Sequence, residues 1–188
     1  MAAAGGSRRT AICRSPSLIF VTVGSQGPFD RLICAVDEWT ASRGRSDVFA
    51  QIGRAKYIPK HIRFTDSLDP LDFKRRVEEA RLVVAHAGVG SIISALESAK
   101  PIVVMPRRSQ FREQRNDHQV ATARRFEAQG QIIVAYEQQS LAEKLDYALT
   151  LGNSERVGPE ASPQLIATIR SFLERDDSNK HRIFGFLH

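Results

Sequence analysis

Short β-branched runs alternate along this chain with stretches whose apolar residues recur at helical spacing. Leu18 to Val23 is the first run, and it ends at Gly24-Ser25-Gln26-Gly27. Pro28 then opens a stretch with Phe29, Leu32, Ile33, Val36 and Trp39 on one helical face. Val48–Ile52 predicts a second strand and Ile62–Phe64 a short third. Asp69 ahead of Pro70 predicts an N-cap and a helix running to about Ala80. Arg81–Ala85 is a fourth, buried-type strand, followed by His86-Ala87-Gly88-Val89-Gly90-Ser91 and a helix that turns Ile92, Ile93, Leu96 and Ala99 inward. Pro101–Met105 is the fifth strand, closed by Pro106. A helix over 116–129 ends at Gly130 as C-cap, and Gln131–Ala135 is the sixth strand. Ser140 and Glu143 predict a capping box for a helix over 140–149. Beyond a Gly/Pro-bearing linker, Gln164–Glu174 again has helical spacing.

Strands alternating with helices predict an α/β protein with a Rossmann-like, doubly wound parallel sheet covered on both faces. The expected organisation is a basic lead-in over residues 1–16, a ligand-binding domain over 17–151, and a linker, helix and tail over 152–188. In such sheets ligands bind outside the carboxyl ends of the strands. The residues just after each strand therefore carry the functional information.

Composition narrows the picture. At 188 residues, with 42% hydrophobic and 26% charged residues, the chain has the make-up of one soluble domain. Its apolar runs fall far short of the roughly 18–20 residues a membrane helix needs. Cys13 and Cys34 stand in unrelated contexts, which predicts a reducing, cytoplasmic setting, and no clustered acids and histidines suggest a metal. The net charge of +6 is concentrated in two places. Arg8, Arg9 and Arg14 account for half of it, and six arginines between 107 and 125 supply the rest against Glu113, Asp117 and Glu127. Such charge suits phosphate-bearing ligands or an anionic membrane face. Aromatics make up only 7% and do not interleave with the arginines, which argues against nucleic acid.

Three strand ends draw attention: Gly24–Gly27, Gly88–Ser91 and Arg107-Arg108. Glycines allow backbone N–H groups to approach a ligand, and helices opening from Pro28 and Ser91 would offer unpaired N–H groups and positive dipole ends. Arg107 or Arg108 would fork phosphate oxygens. A diphosphate is the expected ligand. Each feature alone has a plainer reading: Gly24–Gly27 as a tight turn, His86 as a structural strand-end histidine, Asn116 and Asp117 as helix caps. His118 and Gln119, in the first turn of a helix, are candidates to face a sugar. Glu97 is either a solvated surface acid or an acceptor for ribose or sugar hydroxyls.

Val23–Gly27, His86–Ile93, Lys100–Arg108 and Arg115–Gln119 together resemble the C-terminal domain of glycosyltransferase family 28, and among its members the PssE/EpsF-like exopolysaccharide subunits. The resemblance covers roughly residues 18–150. It implies the donor half of a GT-B fold and an inverting hexosyltransferase, with a UDP-sugar as donor substrate and no further cofactor. By the same resemblance Gly24, Ser25, Gln26, Gly27, Gly88, Val89, Gly90 and Ser91 lie against the diphosphate, and His118 and Gln119 meet the donor sugar; Ala87 and Asn116 are further candidates for substrate binding. Several family members carry a ribose-binding glutamate where this chain has Ser94, and Glu97 one turn later is the substitute. The resemblance also implies a membrane-anchored partner that binds a polyprenyl-diphosphate-linked sugar acceptor, with this chain peripheral at the cytoplasmic face. Docking through residues 164–188 is the expected contact. Within the chain, His86 and His118 have the chemistry of a general base, and the partner is the other candidate source. The alternative is a non-catalytic nucleotide-sugar-binding subunit.

Overall fold

The computed structural model describes residues 18–151. The expectations for the lead-in, for the helix over 164–174 and for the tail lie outside the described residues. Within them, six parallel strands form one sheet in the order β3-β2-β1-β4-β5-β6. They are β1 (Leu18–Thr22), β2 (Val48–Gln51), β3 (Arg63–Thr65), β4 (Ala80–His86), β5 (Ile102–Met105) and β6 (Ile133–Val134). The helices are α1 (Asp30–Ser42), α2 (Pro70–Glu79), α3 (Val89–Glu97), α4 (His118–Glu127) and α5 (Gln138–Thr150). The strand order reverses between β1 and β4, whose register runs from Ile19 against Leu82 to Thr22 against Ala85.

Strand alternation explains the two-sided core. Ile19 and Val21 of β1, Leu82 and Val84 of β4, and Val103 and Met105 of β5 face the layer that includes α1 and α5. Their neighbours Phe20, Val83, Ala85, Ile102 and Val104 face the layer that includes α2, α3 and α4. Because both faces are covered, β1, β4 and β5 are apolar over most of their length, interrupted in β4 by the exposed Arg81.

Several boundaries differ from expectation. Asp69 does cap α2, accepting the Asp72 N–H at 2.9 Å. The expected Ser140 cap is not formed: α5 begins at Gln138, and the Ser140 hydroxyl donates to the Glu137 carbonyl at 2.9 Å. A serine two residues inside a helix is satisfied by its own preceding turn. The helix predicted over 116–129 starts at His118, because residues 109–111 form a short 3-10 turn and Asp117 accepts the Ser109 N–H. Strand β6 shrinks to two residues, and α3 begins two residues before Ser91.

Candidate functional site

The cleft lies where the strand order reverses. Its walls are the loop after β1, the β4–α3 turn, and the first turn of α4, and its volume is about 520 Å³. Ser25, Ser91 and Arg107, which come from separate parts of the chain, border this one space, together with Gly24, Gln26, Gly88, Gly90, His118 and Gln119. The volume is in the range of small-ligand clefts.

His86 is the floor between the two glycine loops. A Cβ built on Gly24 would lie 2.5 Å from the imidazole Cε1, and one built on Gly88 would collide with Nε2. Both glycines are therefore required by a ring lodged between them. At Gly90 the same position is open space, which leaves room above the start of α3. Burial, and then the charge of Arg107, lower the His86 pKa to about 4, while the Thr22 backbone pulls weakly the other way. The ring is neutral at physiological pH.

Helix α3 starts with Gly88 as N-cap, without a side-chain cap and without an acid in its first turn. Its first N–H groups have no intrahelical partner and face a cleft bordered by Gly90 and Ser91. The second expected helix end does not serve the same purpose. The first turn of α1 holds Asp30, whose carboxylate accepts the N–H groups of Lys56 and Tyr57 at 2.8 and 3.0 Å. The donors on that side of the cleft are instead in the loop after β1. The N–H groups of Ser25, Gln26 and Gly27 have no acceptor among the described residues.

Arg107 corrects the expectation of a phosphate fork. The residue has no solvent exposure, and its guanidinium donates to the carbonyls of Val23 (2.9 Å), Gly27 (2.9 Å) and Gln26. Phe29 lies under it, 5.1 Å from ring centroid to Cζ. Arg108 points elsewhere, pairing with Glu137 at 2.7 Å beside a groove formed with Asp117, Arg124 and Tyr136. The arginine-rich stretch is thus divided between a buried brace and outward-facing groups.

Gln119 is almost fully buried and accepts the Arg107 N–H at 3.1 Å, so α4 is tied to the end of β5. Its amide nitrogen makes no hydrogen bond among the described residues. His118 is exposed at the cleft edge, with Nδ1 against Asn116 Oδ1 and Nε2 3.4 Å from Gln114. Asn116 does not border the cleft; it orients His118, whose N–H it also accepts at 3.3 Å. Glu97 is outside the cleft, in a neighbouring groove with Lys74, Ser98 and Lys100. Ser94, on the turn before it, borders both. Ala87 is buried, Val89 opens α3, and Gly27 adopts a left-handed φ of +71°; none of the three borders the cleft.

Gln51 was not foreseen from sequence. It is the last residue of β2, accepts the Thr22 hydroxyl at 2.6 Å, and donates to the Gly24 carbonyl at 3.5 Å. A buried glutamine closing an apolar strand is the signal that marks it. Among the described residues no cluster of histidines, cysteines and acids could hold a metal ion, and no helix is long and apolar enough to cross a membrane.

Residues 18–172 match the model of the glycosyltransferase family 28 C-terminal domain. The UDP-N-acetylglucosamine transferase subunit ALG13 of Homo sapiens is 32% identical over 129 residues, covering 61% of this chain and 10% of its own length. Its Mus musculus counterpart is 34% identical over 124 residues, covering 60% and 10%. This chain therefore spans about a tenth of the length of those relatives. Among solved structures, the solution structure of ALG13 superimposes with a TM-score of 0.53 at 19% identity, over 83% of this chain and 94% of that one. Os79 from O. sativa, solved in complex with UDP, gives 0.55 at 10% identity, over 80% of this chain and 34% of that one. Likeness at those identities shows a shared fold, that of the C-terminal half of GT-B transferases.

Proposed function

Because the chain belongs to the glycosyltransferase family 28 C-terminal domains, we propose that its cleft binds the diphosphate of a UDP-sugar and that the chain is the donor half of a two-part hexosyltransferase. The observation that carries this reading is the convergence of unpaired N–H groups, from the β1 loop and from α3, on one cleft. Two such donor sets suit a dianion better than a neutral ligand. The relatives' description as a transferase subunit supports a partner that supplies the acceptor half. In this reading the partner is membrane-anchored and presents a polyprenyl-diphosphate-linked sugar, and this chain works at the cytoplasmic face.

The reaction is an inverting displacement. An acceptor hydroxyl attacks the anomeric carbon, the bond from that carbon to the β-phosphate oxygen breaks, and the hydroxyl proton passes to a base. Negative charge grows on the departing diphosphate, and the fixed N–H groups of the α3 start stabilise it without reorganising. His118 and Gln119, which border the same cleft, are assigned to the donor sugar in this reading. His86 is a neutral ring between the loops and suits hydrogen bonding better than proton abstraction at neutral pH.

The test is calorimetric titration of the full chain with UDP, followed by turnover with the partner. UDP should bind the isolated chain weakly and the complex better. His118→Ala should lower kcat/KM of the reconstituted pair by about a hundredfold while the complex stays assembled. Folded protein that binds no UDP, alone or with its partner, rejects the reading. Unchanged turnover of His118→Ala in an intact complex removes His118 from the chemistry.

A further inference from the structure

The role of the buried Arg107 goes beyond donor binding as such. A guanidinium has five N–H donors and normally meets a carboxylate when buried. This one spends three of them on backbone carbonyls of a single loop, those of Val23, Gln26 and Gly27, and its Nε has no partner. The carboxylate of Glu113 is already engaged, bonded to Arg31 at 2.8 and 2.9 Å and to the Arg108 N–H at 3.0 Å. Across the same loop, Gln51 takes the Gly24 carbonyl.

In a planar trans peptide the carbonyl and the next N–H point in opposite directions. Holding the Gln26 carbonyl against Arg107 therefore turns the Gly27 N–H away from it. Holding the Gly24 carbonyl against Gln51 does the same for the Ser25 N–H. The result is a loop whose carbonyls are drawn inward and whose N–H groups at Ser25, Gln26 and Gly27 are left without acceptors. Successive free N–H groups of this kind form an anion-receptive concavity.

We propose that Arg107 is a positioning residue for the diphosphate: it shapes the β1 loop into an anion receptor from behind and does not touch the anion itself. The inference rests on the UDP-sugar reading of the cleft. A lysine at this position keeps the charge but cannot fork across three carbonyls, so charge and geometry can be separated.

The experiment is done on the full-length chain with two probes, UDP and uridine. Amide NMR of the wild-type chain should show the resonances of Ser25 and Gln26, the two of these residues that border the cleft, shifting with UDP and not with uridine. In Arg107→Lys and Arg107→Met the UDP dissociation constant should rise by about tenfold or more, the equivalent of one lost charge-assisted hydrogen bond. Uridine affinity should stay within about twofold, because its site does not use the loop amides. Folded Arg107→Lys that binds UDP as tightly as wild type overturns the proposal. So does UDP binding to the wild type that leaves the Ser25 and Gln26 amides unmoved, a result that stands even if the variants fail to fold. If the wild type binds no UDP at all, the donor-site reading falls first and this proposal falls with it.

Discussion

Gly88→Ala tests the claim that the glycines exist to house His86. At Gly88 the backbone is φ −83°, ψ 132°, which alanine adopts without strain. Any cost must then come from the added methyl. That methyl would collide with Nε2 and lie 2.9 Å from Cδ2 and Cε1, against about 3.5–4.0 Å for an ordinary contact. The ring cannot simply tilt away, because the Gly24 side is also close, with a built Cβ 2.5 Å from Cε1. Overpacking of this kind costs about 1–3 kcal/mol. A His86→Ala background removes the three atoms nearest that methyl, and the cost of Gly88→Ala should fall to about 0.5 kcal/mol or less. Gly24→Ala should behave differently. Its φ of +73° leaves about 1–2 kcal/mol of left-handed strain even when the ring is gone. Urea unfolding of the single and double variants gives these differences directly. Equal costs for Gly88→Ala with and without the imidazole would refute the reasoning.

His86 should also make stability depend on pH. Its folded pKa of about 4 lies below the ordinary 6.5, so the unfolded chain binds more protons between those values and stability rises with pH across that window. The contribution is complete above about pH 6.5 and on the order of 3 kcal/mol is lost as pH falls towards 4. His86→Gln should flatten that part of a urea-midpoint profile, and an unchanged slope would show that the ring is not responsible. Glu113→Ala removes the carboxylate from the Arg31 pair, whose side chains are 12% and 11% exposed, and should destabilise by about 2–3 kcal/mol in the same assay. Asp69→Ala should cost about 1 kcal/mol through loss of the α2 cap, with the cleft's UDP affinity unchanged in calorimetry.

Much of this protein was legible in local pattern. Short apolar runs, helical spacing of apolar residues, and Gly, Pro and capping signals at their ends are local features, and together they placed the six strands and five helices of residues 18–151. Asp69 as a cap was legible for the same reason, since a cap is a contact between near neighbours. The placement of Gly24–Gly27 and Gly88–Ser91 at strand ends followed from the parallel alternation.

What the sequence could not determine were the partners of long polar side chains. Arg107 and Arg108 are adjacent and chemically identical, yet one braces the β1 loop from inside and the other pairs with Glu137 at the surface. Only the approach of the segment after β5 to the loop after β1 on one side, and to Glu137 at the start of α5 on the other, separates them. Gln51 and Glu97 make the same point in opposite directions: a strand-end glutamine supports the site, and a helix glutamate that looked suited to a ribose faces another groove. Hydrogen-bond partners distant in sequence are set by the packed arrangement of elements, whereas the elements themselves are set by the chain's own period.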